Sequence, residues 1–169
     1  MVSEAVEHRP TTRPPALDAP VAARVLWGVF GLSAALHAIT IWRASWAWVV
    51  ASLPDDAFYY LEVARRAGRG QGTTFDGIHQ TNGFHPLWQG VLTPVAWLVR
   101  DDVALAKTTM LLGVALCVAA LVLLARLVRP LVGAAPAAFG ALVAFHALGN
   151  EAHNGMESSL VVLTLGLCG

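Results

Sequence analysis

The chain alternates long apolar runs with short polar breaks. From Val25 to Trp42 the only ionisable residue is His37, with Arg24 and Arg43 as the flanking charges. A helix needs about 20 apolar residues to cross a bilayer, so a first spanning helix is predicted over residues 22–42. The long leading tail, the length of the apolar run and the lack of a prompt small-residue cleavage site argue against a removable signal peptide. His37 reads as a packed histidine. Residues 103–125 give the strongest span, and residues 130–148 a weaker one with Pro136 near its start. The final run, residues 158–169, stops well short of a span. The expectation is therefore the N-terminal part of a longer protein.

Residues 86–99, "PLWQGVLTPVAWLV", are apolar but short. At about 1.5 Å per residue they reach about 21 Å, against a hydrocarbon core of about 30 Å. If they crossed, Arg126 and Arg129 would lie opposite Arg9, Arg13 and Arg24; if they do not, all five share one side, as the positive-inside rule prefers. Segment 86–99 is therefore expected to be juxtamembrane or re-entrant, with Trp88 and Trp97 at headgroup level. The predicted topology has a cytoplasmic tail, a large external segment over 43–102, a cytoplasmic turn at 126–130 and an external loop over 149–158.

Composition agrees with this class. The chain is 56% hydrophobic and 13% charged, with a mean hydropathy of +0.60; soluble domains carry about 25% charged residues. The fold class expected is an all-α, polytopic integral membrane protein with juxtamembrane helices in its first external loop. Residues 1–20, rich in proline and charge, read as a disordered cytoplasmic tail, and residues 21–169 as one transmembrane domain. Formal net charge is zero, so no nucleic-acid partner is indicated. Cys117 and Cys168 lie in apolar runs and suggest neither a disulfide framework nor a metal site.

The polar stretches carry the chemistry. In "PDDAFYYLEVARRAGRG", Asp55 or Asp56 can cap a helix that Gly68 and Gly70 end. One capping need does not explain two acids. Paired carboxylates can supply a base and its orienting partner, or hold a cation. Arg65, Arg66 and Arg69 can clamp a phosphate. In "GQGTTFDGIHQTNGFHPLW", turn signals fall at 76–77 and 82–83. Thr81, Asn82, His85 and Gln89 suit hydrogen bonding to a sugar, with Phe84 and Trp88 suited to its apolar face or to lipid. Asp76, His79 and His85 match no strong metal-ligand spacing. In "NEAHNGMESSL", Glu157 heads the last helix.

Taken in order, "DDAFYYLEVAR", "GTTFDGIHQTNGFHPLW" and "NGMESSL" resemble the N-terminal half of bacterial GT-C glycosyltransferases, a group including protein O-mannosyltransferases and the lipid A aminoarabinose transferase. The resemblance covers roughly residues 22–169. It implies a multi-pass protein of the bacterial inner (plasma) membrane. Such an enzyme is a hexosyl- or pentosyltransferase, moving a sugar from a polyprenyl-phosphate donor to a glycan, lipid or protein acceptor on the extracytoplasmic face. Asp55 and Asp56 match the family's acidic pair, with Asp55 the expected base and Asp56 the alternative. His85 with Pro86 matches its polar residue before proline, and Glu157 its second acidic motif. Asn82, Arg65 and Arg66 are expected to touch substrate. A divalent cation held by Asp55, Asp56 and Glu157 is the cofactor the resemblance allows. The pair is Asp-Asp where relatives often carry Asp-Glu. The alternative is a non-catalytic lipid-binding or transporter-type membrane protein. Transporters place ionisable residues at mid-membrane, whereas here the acids cluster outside the spans.

Overall fold

The computed structural model describes residues 19–168, so the tail expected over residues 1–20 falls almost wholly outside the described residues. The described chain is helical without a named strand: α1 (Ala19–Arg43), α2 (Trp46–Ser52), α3 (Asp55–Gly68), α4 (Pro86–Leu98), α5 (Asp102–Val132), α6 (Ala134–Leu148), a single 3-10 turn (Gly149–Ala152) and α7 (Ser158–Cys168). Two helices, α1 and α5, are long and apolar enough to cross a membrane. α6, with 15 residues, and α7, with 11, are shorter than that length requires.

α5 is the axis of the packing. It lies against α1, α6 and α7, while α3 and α4 pair with each other near its N-terminal end. Its first residues are set by a cap: Asp101 accepts a hydrogen bond from the Ala104 amide at 2.8 Å. Lys107, one turn further on, donates to the carbonyls of Trp42 (3.0 Å) and Ala44 (2.6 Å). Those carbonyls lie at the end of α1, where helical partners run out, so one ammonium satisfies orphan acceptors and ties the C-terminus of α1 to the start of α5.

The predicted turn at 126–130 is displaced. α5 continues through Arg126, Arg129 and Pro130 to Val132, and the chain reverses at Gly133, whose φ is +92°. Pro130 is tolerated because it falls in the last turn, and glycine takes the positive φ that costs an L side chain about 1–2 kcal/mol. The span expected over residues 130–148 is thereby shortened to α6. A second difference is α2, which starts where Ser45 Oγ accepts from the Trp48 amide at 3.3 Å.

Because α6 has less than half the length of α5, the segment after it meets α5 partway along. There Gly113 makes room: a Cβ at this position would stand 2.7 Å from the Ala152 carbonyl oxygen. Gly68 serves the α3–α4 pair likewise, since a Cβ would meet the α4 backbone at 3.0 Å. Gly68 therefore ends α3 and also admits its neighbour. Gly113→Ala is expected to destabilise the fold by about 1–3 kcal/mol through backbone overpacking. Thermal unfolding in detergent measures this, with Gly28→Ala, which meets nothing within 4 Å, as the control expected to leave the transition unchanged or raised.

Candidate functional site

The aspartate pair opens α3, but neither residue caps it. Pro54 occupies the N-cap position, and Asp55 and Asp56 are the first two helical residues, exposed and without a hydrogen bond or ion pair among the described residues. Their charges favour the helix N-terminus, yet their oxygens stay available. Of the two, Asp56 shares a face with Tyr60, one turn on.

Tyr60 is the residue at which the three polar stretches meet. It is buried, and its phenolic oxygen accepts the His85 amide at 2.9 Å. Burial raises its pKa above the ordinary tyrosine value; the His85 amide opposes this, and the nearby charges of Glu157 and Asp56 reinforce it. At neutral pH the phenol is protonated, so while accepting from His85 it keeps an O–H free to donate. His85 is the N-cap of α4, with Pro86 at the first helical position, where a missing N–H costs nothing. Glu157 directly precedes α7, and its carbonyl accepts the Val161 amide at 2.9 Å.

The same region holds polar atoms that are buried without a partner in the protein: His85 Nδ1, Glu157 Oε2 and both amide atoms of Gln89. Gln89 stands one turn from His85 on α4. Leaving such an atom unpaired costs about 1–3 kcal/mol. Four in one neighbourhood make this the least satisfied polar cluster of the described residues.

The loop carrying Glu157 is held in place from two sides. Trp88 is fully buried and its indole N–H donates to the Gly155 carbonyl at 2.9 Å. This overturns the headgroup-level position expected from sequence: the 149–157 segment folds back over α4 and takes Trp88 out of reach of lipid. Trp97, 58% exposed, keeps an outward position. On the other side His37 Nε2 and His153 Nδ1 share a hydrogen bond of 2.8 Å, and Trp48 stacks on His153 with centroids 5.8 Å apart. His37 is thus packed, as its apolar setting indicated.

Arg65 and Arg66 do not join the acidic pair. Both bind Glu62, at 2.5 and 2.7 Å, and Arg65 also approaches Asp102 at 3.4 Å. At about 100° and 1.5 Å per residue, Arg65 lies about 14 Å along α3 from Asp56 and on its other side. There, with Trp46, Phe58 and Phe75, the arginines line a separate cavity of about 520 Å³. Their expected role beside the aspartates is corrected accordingly: two carboxylates already neutralise them. Arg69 forms the C-cap of α3.

Asn82 is exposed on the preceding loop, which Thr81 fixes through a hydrogen bond to Tyr59 and a 2.8 Å backbone bond to Thr73. Asp76 spends its carboxylate inside that loop. It binds His79 Nδ1 at 2.7 Å and the amides of Ile78 and His79 at 2.8 Å each. The His79 ring and these amides hold its pKa far below the usual carboxylate range. No group of three or more His, Cys, Asp or Glu side chains stands ready for a metal among the described residues. Sequence reading passed over Tyr60. The signal available was its place four residues after Asp56 on a helix.

Burial, then the neighbouring His37, lowers the His153 pKa. Below about pH 6.5, the ordinary value, the unfolded chain therefore takes up a proton that the folded chain resists. The contribution of His153 is present above that pH and declines as pH falls. Thermal stability in detergent should drop between pH 7 and 5, and His153→Asn should flatten that dependence. An equally steep profile in the variant would remove His153 as its source.

No family model, no curated protein and no solved structure matches this chain.

Proposed function

We propose that this chain is a multi-pass membrane glycosyltransferase component that moves a sugar from a polyprenyl-phosphate donor to an acceptor hydroxyl at the outer membrane surface. The observation that carries the reading is the convergence on Tyr60 of Asp56, His85 and Glu157, one residue from each of the three motifs that resemble GT-C glycosyltransferases. The membrane setting is supported by α1, an apolar helix of which only 11% of the spanning window is buried. Such a surface needs lipid or further protein around it. Asp56 is taken as the base in place of Asp55, because it shares a face of α3 with Tyr60.

In this mechanism the Asp56 carboxylate takes the proton of the acceptor hydroxyl. The acceptor oxygen bonds to the anomeric carbon as the bond from that carbon to the phosphate oxygen breaks. Polyprenyl phosphate leaves with the electron pair, and the proton stays on Asp56. The Tyr60–His85 bond fixes the start of α4 against α3, the helix that carries Asp56, a positioning contribution. Gln89 and the free atoms of His85 and Glu157 face the sugar hydroxyls. A divalent cation would find two protein carboxylates at most and would complete its shell with phosphate and water, as magnesium commonly does. No step above depends on it.

Transfer of radiolabelled sugar from polyprenyl-phosphate donor, in membranes bearing the protein, tests the reading. Asp56→Asn is expected to lose about 10²–10⁴ in rate, the usual worth of a general base. Asp55→Asn should lose less, and Tyr60→Phe should reduce transfer while leaving insertion intact. Wild-type transfer by Asp56→Asn would sink the assignment. A separate experiment addresses topology. Single cysteines at Gln80, Asp101 and Asn154, in a background without Cys117 and Cys168, should all label with an impermeant thiol reagent from outside, and Ser3→Cys should be protected. Labelling at Gln80 with protection at Asn154 would place the motifs on opposite faces.

A further inference from the structure

At the end of the bundle away from Tyr60, the start of α1, the end of α5 and the start of α6 enclose a cavity of about 450 Å³. Three arginines line it: Arg24 from α1, and Arg126 and Arg129, one turn apart on α5. No carboxylate lines it among the described residues. Among the described residues Arg126 and Arg129 make no side-chain hydrogen bond or ion pair, and Arg24 makes only a long 3.4 Å contact to the Pro20 carbonyl. The floor is apolar and made of small residues, including Ala23, Ala125 and Ala137, each at most 6% exposed. Trp27 closes one side.

The contrast with the cavity beside Arg65 and Arg66 decides what this one is for. There two guanidiniums face two carboxylates. Here three guanidiniums line a cavity with an apolar floor and, among the described residues, no carboxylate. All three arginines are exposed at the rim, so water screens their mutual repulsion, and an anion joining them would be attracted by all three. An anion with an apolar continuation satisfies both the rim and the floor. The arginines stand at the ends of the two helices long enough to span, where lipid phosphate lies if those helices cross the membrane. A basic pocket between spanning helices is a known way to hold an anionic headgroup.

We propose that this cavity is a binding site for an anionic phospholipid. The three arginines hold the phosphate, and Trp27 and the alanine floor receive the glycerol and upper acyl chain. The site is independent of sugar transfer and rests only on the membrane setting of α1 and α5.

Trp27 provides the readout. The full chain is reconstituted in phosphatidylcholine bilayers containing a small fraction of brominated phosphatidylglycerol or, in parallel, brominated phosphatidylcholine. The Trp27 signal is the difference in quenching between the chain and its Trp27→Phe variant. Brominated phosphatidylglycerol is expected to quench with a relative affinity at least about fivefold above phosphatidylcholine, the order expected when a lysine or arginine meets an anionic headgroup. Arg24→Gln combined with Arg126→Gln and Arg129→Gln should bring the ratio to about one. Ala134→Trp, which keeps all three charges and fills the cavity, should do the same. Equal quenching by the two lipids in the parent chain overturns the proposal. So does a preference that survives Ala134→Trp, which would mean general surface attraction. Displacement of the lipid by millimolar inorganic phosphate would show a free-anion site and overturn the lipid assignment too.

Discussion

The structure depends on one close approach, between the segment after α6 and the body formed by α3, α4 and α5. It is possible because Gly113 has no side chain where the Ala152 carbonyl passes. It is fixed because the Trp88 indole donates to Gly155 and His37 meets His153. Burying an indole of this size contributes about 1.5–3 kcal/mol, and its hydrogen bond about 1 kcal/mol more. Without these contacts Glu157 would have no reason to lie beside Tyr60, and the three polar stretches would remain separate.

That docking also explains the pairing of order and unmet polarity. Around Trp88 and Gly155 the packing is tight enough that a Cβ on Gly155 would press on Leu53 and Ala57 at 3.0 and 3.1 Å. Immediately beside it, His85, Gln89 and Glu157 hold polar atoms with no protein partner. The tight packing beside them fixes where these unpaired groups stand.

Charge is distributed with equal consequence along the bundle. Carboxylates gather at the end where α2, α3 and α4 pack, and there every arginine of the Glu62 cluster is answered by an acid. The other end gathers Arg24, Arg126 and Arg129 around an apolar floor. The two cavities differ in charge because of that balance, although both are walled by aromatic and aliphatic side chains.

Much of the helical layout was legible in the sequence. Apolar runs gave α1 and α5, a proline before a short apolar stretch gave α4, and glycines after a helix-forming run gave the end of α3, because each follows from local hydropathy or backbone preference. The acidic pair, His85 and Glu157 were legible as candidates through their motifs. Partners across the chain were not. Whether Pro130 starts a helix or ends one depended on Gly133 and on the packing of α5. Whether Trp88 faces lipid depended on a segment 67 residues away folding over it. The arginines of α3 looked like neighbours of the aspartates in one dimension, yet about 14–16 Å of helix separates them, and Glu62 and Asp102 claim them. Local propensity is written residue by residue. Tyr60 as the meeting point emerges only when distant segments pack together, with the His85 amide bonded to its hydroxyl and Glu157 brought near.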